Sequence, residues 1–80
     1  MNKEIYIDRG WFFVKDHRIQ LSRMDVYGIT EPTSETAPLF EFRAWRAGMD
    51  GAVSLLLCEA DAREALRVLD DYWKNFERVK

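Results

Sequence analysis

The sequence is poor in the residues that crosslink small proteins or hold metal ions in them. Its 80 residues include one cysteine, Cys58, and one histidine, His17. A single cysteine cannot form an internal disulfide, which is typical of a protein in a reducing compartment. A structural zinc site needs several Cys or His ligands, so we expect no metal ion.

Glycine, proline and long apolar runs are scarce as well. The four glycines follow neither the dinucleotide-binding nor the phosphate-loop spacing, so we expect no nucleotide cofactor. The longest apolar runs, Trp11–Val14 and Leu55–Cys58, have four residues, against the roughly 20 that cross a bilayer. The first residues lack the apolar core of a signal peptide. We therefore predict a cytoplasmic protein without membrane contact.

Neither sign of charge dominates the chain. Twelve Lys and Arg residues stand against 14 Asp and Glu residues, which gives a net charge of −2. Such a chain lacks the overall positive field that draws a protein to nucleic acid or to an anionic membrane. Nucleic acid is therefore not the partner that we expect first.

Hydrophobic residues make up 48% of the sequence, which favours a folded protein over a disordered one. A chain of this length has room for one core, so residues 1–80 are predicted to form one domain. Alternating apolar residues and turn signals predict a strand meander over 5–30 and a hairpin over 39–58. Within the meander, Gly10 favours a turn, and Ser22 is predicted to cap one short helical turn. The Pro-containing segment 31–38 is predicted to be a mobile loop.

The last part of the chain predicts a helix over residues 61–77. Its apolar residues recur at helical spacing, and we expect them to cover the sheet: Ala62, Ala65, Leu66, Leu69, Tyr72, Trp73 and Phe76. Asp61 and Glu64 have the spacing of a capping box, and Asp70 and Lys74 that of an ion pair. The predicted fold is α+β, an antiparallel sheet of five or six strands packed by one C-terminal amphipathic helix.

Residues with catalytic potential are present but scattered. The carboxylates fall mainly in turns and on the outer face of the helix, where nothing shifts their pKa values toward acid–base work. His17 lies in a polar turn, and Cys58 is interpreted as a small buried side chain. We predict no catalytic residues, no cofactor and no enzymatic activity.

The triplet Trp11–Phe13 is the most informative for function. Successive residues of a strand point to opposite faces, and one helix covers only one face of a sheet. Aromatic side chains are therefore expected on the helix-free face, as an apolar patch that binds a protein partner or a second copy in a homodimer. The alternative is that a loop or a curled sheet covers them. The predicted contact residues are Trp11, Phe12, Leu39, Trp45 and Leu56.

A second reading of the same face is single-stranded nucleic-acid binding. Arg18, Arg43 and Arg46 are interleaved with aromatic residues, and such a protein binds by phosphate contact and base stacking. Acidic residues outnumber the basic ones in this half of the chain, which places this function second. It requires the arginines to cluster and the acidic residues to lie elsewhere.

Short strands closed by one C-terminal helix give an element order similar to that of pleckstrin-homology-like domains and of many small bacterial or phage proteins. One helix on a sheet serves many functions, so the resemblance implies no site residues. The predicted function is a non-enzymatic protein-binding module. Its size and class suit a phage-type inhibitor, such as an anti-CRISPR protein, that occupies a partner's surface. A small enzyme or a pleckstrin-homology-like accessory domain comes third.

Overall fold

The computed structural model describes residues 4–48 and 51–78. It contains six strands, one 3-10 turn and one helix, in this order: β1 (Ile5–Asp8), β2 (Trp11–Val14), β3 (His17–Gln20), the turn Leu21–Arg23, β4 (Val26–Thr30), β5 (Phe40–Trp45), β6 (Val53–Leu57) and α1 (Glu59–Arg78). The α+β class and the C-terminal helix are confirmed. The helix begins two residues earlier than predicted.

The six strands form two antiparallel sheets of three strands each. The first sheet has the order β1-β2-β3, and the second has the order β4-β5-β6. The prediction of a single sheet of five or six strands is therefore wrong. β3 and β4 are consecutive in the chain without being paired, so β3 is an edge of the first sheet.

The change of sheet takes place at the turn Leu21–Arg23. Leu21 and Met24 are buried, and the Met24 amide donates to the Leu21 carbonyl at 3.2 Å. Burying these two side chains redirects the chain, and the next strand pairs with β5. The sequence pattern predicted a helical turn here with Ser22 as its cap. Instead the turn starts after Gln20, and no side chain caps it.

The first two hairpins have connections of two residues. Asp8 pairs with Trp11 around Arg9 and Gly10, which have φ values of 51° and 85°. Two positive φ values are the signature of a type I′ turn, whose twist matches that of the flanking strands. Gly10 adopts this conformation without steric cost, as the turn prediction required.

The two sheets and the helix enclose one core. The rings of Phe12 and Phe42 bring the sheets together, with centroids 5.9 Å apart. Alternate residues of β2 and β5 point into this core, as the period of a half-buried strand requires. The buried residues are Ile5, Phe12, Val14, Ile19, Leu21, Met24, Phe40, Phe42, Ala44, Leu55, Leu57, Ala62, Ala65 and Leu69.

The helix presents a slightly different face from the one predicted. Ala62, Ala65 and Leu69 are fully buried, whereas Leu66 and Trp73 are half-buried. Val68 and Tyr72 pack against the core from its border. The small alanines let the helix lie close to the sheets. The predicted core role of the Phe76 side chain falls outside the described residues.

Two acidic residues of the helix, Asp61 and Asp70, have roles that differ from the predicted ones. Asp61 lies within the first turn of α1, which begins at Glu59, and not at the position before the helix that the prediction gave it. Lys15 Nζ lies 3.0 Å from Asp61 Oδ2 and joins the first hairpins to α1. This contact raises the pKa of Lys15. Asp70 Oδ1 accepts a hydrogen bond from the Tyr27 hydroxyl at 2.7 Å, so its bond is to β4 and not to Lys74.

Cys58 lies between β6 and α1 and is exposed, so its interpretation as a buried side chain is wrong. The segment 31–38 is a loop held by its own hydroxyl groups. The Thr33 amide donates to Thr36 Oγ1 at 2.9 Å, and the Ala37 amide donates to the Thr33 carbonyl at 2.8 Å. Its mobility stays a prediction.

Candidate functional site: an arginine groove between the two sheets

The five predicted contact residues do not come together on one surface. Phe12 is fully buried against Phe42, so it is excluded from any partner-facing surface. Trp11 is 40% exposed on the outer face of the first sheet. Its neighbour Phe12 takes the core side because successive side chains alternate between the faces of a strand.

The remaining three residues belong to the second sheet or to its border. Trp45 lies opposite Val26 and is half-buried, and Leu56 lies opposite Glu41 with 51% exposure. Positions 41 and 45 are four steps apart, roughly 13 Å along a strand, so Trp45 and Leu56 do not form a continuous patch. Leu39 is half-buried just before β5. The apolar patch of the prediction is therefore divided.

A different surface gathers aromatic and basic side chains. A cavity of about 530 Å³ opens between β3 of the first sheet and the end of the second sheet at which Ala44 pairs with Val53. We call it the arginine groove. Its lining combines one tryptophan, three arginines and a small apolar floor: Trp11, Arg18, Ile19, Gln20, Arg23, Ala44, Arg46, Gly51, Ala52 and Val53.

Each arginine of the groove comes from a different element. Arg18 belongs to edge strand β3, Arg23 ends the 3-10 turn, and Arg46 follows β5. Arg46 is fixed by its own hydrogen bond, because its Nη1 donates to the Ser22 carbonyl at 2.7 Å. The turn that separates the two sheets therefore also brings Arg23 and Arg46 to the same cavity.

The groove is positively charged on the surface that the structure describes. No described carboxylate lines it, and none of its three arginines forms an ion pair with a described Asp or Glu. The carboxylate of Asp25 is held elsewhere, since its Oδ1 accepts from the Ala47 amide at 2.9 Å. The arrangement suits a ligand that brings its own negative charges.

Trp11 extends the site beyond this cavity. A second cavity of about 400 Å³ lies on its other side and shares Trp11 and Gln20 with the arginine groove. Arg9, Tyr72 and Trp73 are among the residues that line it. A surface that continues around an exposed tryptophan is longer than a compact small molecule needs.

The three predicted nucleic-acid contacts, like the five predicted protein contacts, do not lie on one surface. Arg18 and Arg46 meet in the groove, as that hypothesis required. Arg43 lies on the outer face of the second sheet, where its guanidinium stands 5.6 Å from the ring centroid of Trp45. Arg23 was not among the predicted residues. Arg23 follows the strand that contains Arg18, and this closeness in sequence could have indicated a shared site. The sequence pattern instead placed Arg23 in a capped helical turn.

The described residues contain neither a candidate metal site nor a candidate membrane-spanning helix. Within residues 4–48 and 51–78, no group of three or more His, Cys, Asp or Glu side chains is placed to hold a metal ion. Over the same residues, no helix combines the length and apolar character that a bilayer crossing requires.

Comparisons with protein-family models, with curated proteins and with solved structures found no match for this chain. The site is therefore interpreted from its own chemistry.

Proposed function

We propose that the protein is a non-enzymatic protein-binding module that holds an acidic partner segment in the arginine groove. The observation that carries the proposal is the grouping of Trp11 with three arginines beside the exposed apolar residues Ala52 and Val53. Tryptophan and arginine contribute most often to affinity at the centre of protein interfaces.

Charge and shape both support this choice. A partner carboxylate can accept two parallel hydrogen bonds from one guanidinium, and Lys offers no such geometry. The apolar floor takes aliphatic side chains, which a nucleotide does not offer. The cavity volume of about 530 Å³ is that of a usual binding site, and its continuation past Trp11 favours an extended chain as ligand.

Single-stranded nucleic acid is the competing ligand, since Trp11 is exposed beside Arg18 and stacking on such a ring is worth roughly 1–3 kcal/mol per base. Three arginines neutralise few phosphates, and nonspecific binding depends on their number. Arg43 does not line the groove. The three predicted arginines therefore do not form one basic cluster, which is a second argument against nucleic acid.

Two variants matched in net charge test the proposal. The groove variant carries Arg18→Gln and Arg23→Gln, and the helix variant carries Arg63→Gln and Arg67→Gln. Each removes two positive charges, so any difference between them comes from location. Wild-type protein is used to select binders from a displayed library of random peptides, and a polythymidine strand is titrated in parallel.

We expect selected peptides rich in Asp and Glu. They should bind the helix variant like wild type and the groove variant at least about tenfold more weakly, since hydrogen bonds to charged groups contribute about 1.5–3 kcal/mol each. Binding of polythymidine in the micromolar range, with no acidic peptide enriched, would replace the proposal with the nucleic-acid function.

A further inference from the structure

Among the described residues, no strand pairs with the outer edge of β3, and this edge lies in the groove. β3 pairs with β2 through Trp11–Gln20, Phe12–Ile19, Phe13–Arg18 and Val14–His17, and it is the last strand of its sheet. The Leu21 amide donates to the Gly10 carbonyl at 2.9 Å at the end of the same ladder. This one bond fixes which residues of β3 turn their backbone toward β2.

In an antiparallel ladder, hydrogen-bonded and non-hydrogen-bonded pairs alternate. Since Leu21 bonds to β2, Ile19 and His17 also direct their backbone groups toward β2. The backbone groups of Arg18 and Gln20 point away from it, toward the open edge. Both residues line the arginine groove. The Arg18 N–H and C=O and the Gln20 N–H therefore face the space that a ligand would fill.

We propose that the partner segment binds as an added strand along β3, with acidic residues alternating with apolar ones. This inference rests on the function proposed above and deepens it. A strand added beside β3 continues the pleat of the first sheet. Its residues on the outer face meet the side chain of Arg18, and its residues on the other face meet Val53, which is exposed at the border of the core.

Charge complementarity selects this partner over a second copy of the chain. Two copies joined through β3 would bring two sets of the same arginines together, and like charges across a strand pair are destabilising. An acidic segment instead places carboxylates beside Arg18 and Arg23. Its apolar residues lie over Val53.

The backbone at Gln20 permits a specific test. Its φ and ψ are −72° and 125°, close to the φ of about −65° that proline fixes. Its N–H points away from β2, so Gln20→Pro removes no bond of the sheet. The matched control Gln20→Ala removes the side chain and keeps the N–H. Thermal melts verify that both variants fold.

The probe is a short capped peptide of alternating glutamate and valine, and its control is a peptide of the same composition with all glutamates preceding all valines. We expect Gln20→Pro to bind the alternating peptide about tenfold more weakly than Gln20→Ala, the effect of losing one backbone hydrogen bond to the ligand. Methylating its backbone nitrogens one at a time should weaken binding at alternate positions only.

Two results overturn the inference. Equal affinity of Gln20→Pro and Gln20→Ala for a peptide that the groove variant fails to bind would leave the proposed function intact and exclude strand addition. Absence of binding by the alternating peptide, together with tight binding of polythymidine, would contradict both the strand addition and the proposed function.

Discussion

Arg67 on the helix and Arg18 in the groove carry the same guanidinium in contrasting surroundings. Arg67 Nη2 lies 2.6 Å from Glu64 Oε2, and Nη1 lies 2.9 Å from Asp71 Oδ2. Arg18 shares its cavity with two further arginines and makes no ion pair with a described carboxylate.

Arg63 and Arg67 of the helix therefore form ion pairs with neighbouring carboxylates, whereas the groove brings three arginines together. Exposed pairs such as those of Arg67 contribute little to stability and offer little to a partner. Grouped like charges destabilise the free protein slightly and favour a ligand of opposite sign. The contrast separates a surface whose arginines are paired with neighbouring carboxylates from one whose arginines have no such partner among the described residues.

The largest effect is expected in the core, outside both regions. Leu69 is fully buried between the helix and the sheets, so Leu69→Ala should lower the free energy of unfolding by about 2–5 kcal/mol. Chemical denaturation measures the loss, and the half-buried Leu66→Ala is the control on the same helix. Equal losses in the two variants would show that the helix face is wrongly assigned.

Trp11→Ala should weaken peptide binding at least about tenfold while changing stability little, because an exposed aromatic at an interface contributes mainly to affinity. Its neighbour Phe12 is fully buried, and Phe12→Ala should lower stability by about 3–5 kcal/mol. Titration and denaturation of both variants separate the two roles. Similar destabilisation in both, with unchanged peptide affinity, would place Trp11 in the core.

The two matched variants should differ in stability as well. The helix variant loses the three ion pairs of Arg63 and Arg67, so its Tm should fall, by no more than about 12 °C. The groove variant loses only repulsion, so its Tm should stay unchanged or rise. Calorimetry distinguishes them, and a larger fall in the groove variant would indicate that its arginines stabilise the fold.

The smallest effect is the pH dependence of the Arg67–Glu64 pair. Arg67 lowers the pKa of Glu64 from its ordinary value of 4.5. A lowered pKa adds stability that is present above 4.5 and is lost as the pH falls through the folded-state value. The Tm difference between wild type and Arg67→Gln should thus persist at pH 7 and shrink below pH 4.5. A difference that grows with acidity would contradict the assignment.

Much of the fold could be predicted because its signals are local. The alternation in β2, the turn at Arg9 and Gly10 and the apolar period of α1 are each readable within a few residues. The division into two sheets could not be predicted, because it depends on how Leu21 and Met24 pack against distant residues. Local alternation does not tell which strands pair.

The site was harder to predict for the same reason. Arg18 and Arg46 were identified as contacts for the alternative nucleic-acid function, and Trp11 as a partner contact, but their meeting in one groove follows from the break between the sheets. Arg23 was missed since its turn was interpreted as a capped helical turn. Phe12 was assigned to the wrong face because an aromatic triplet does not show which member points inward.

Isothermal titration of the alternating glutamate–valine peptide into the groove variant and the helix variant shows whether the position of the arginines determines binding. We expect at least about tenfold weaker binding by the groove variant, wild-type affinity of the helix variant, and loss of the difference at high salt. Equal affinities of the two variants would contradict the proposed function, because net charge alone would then explain binding.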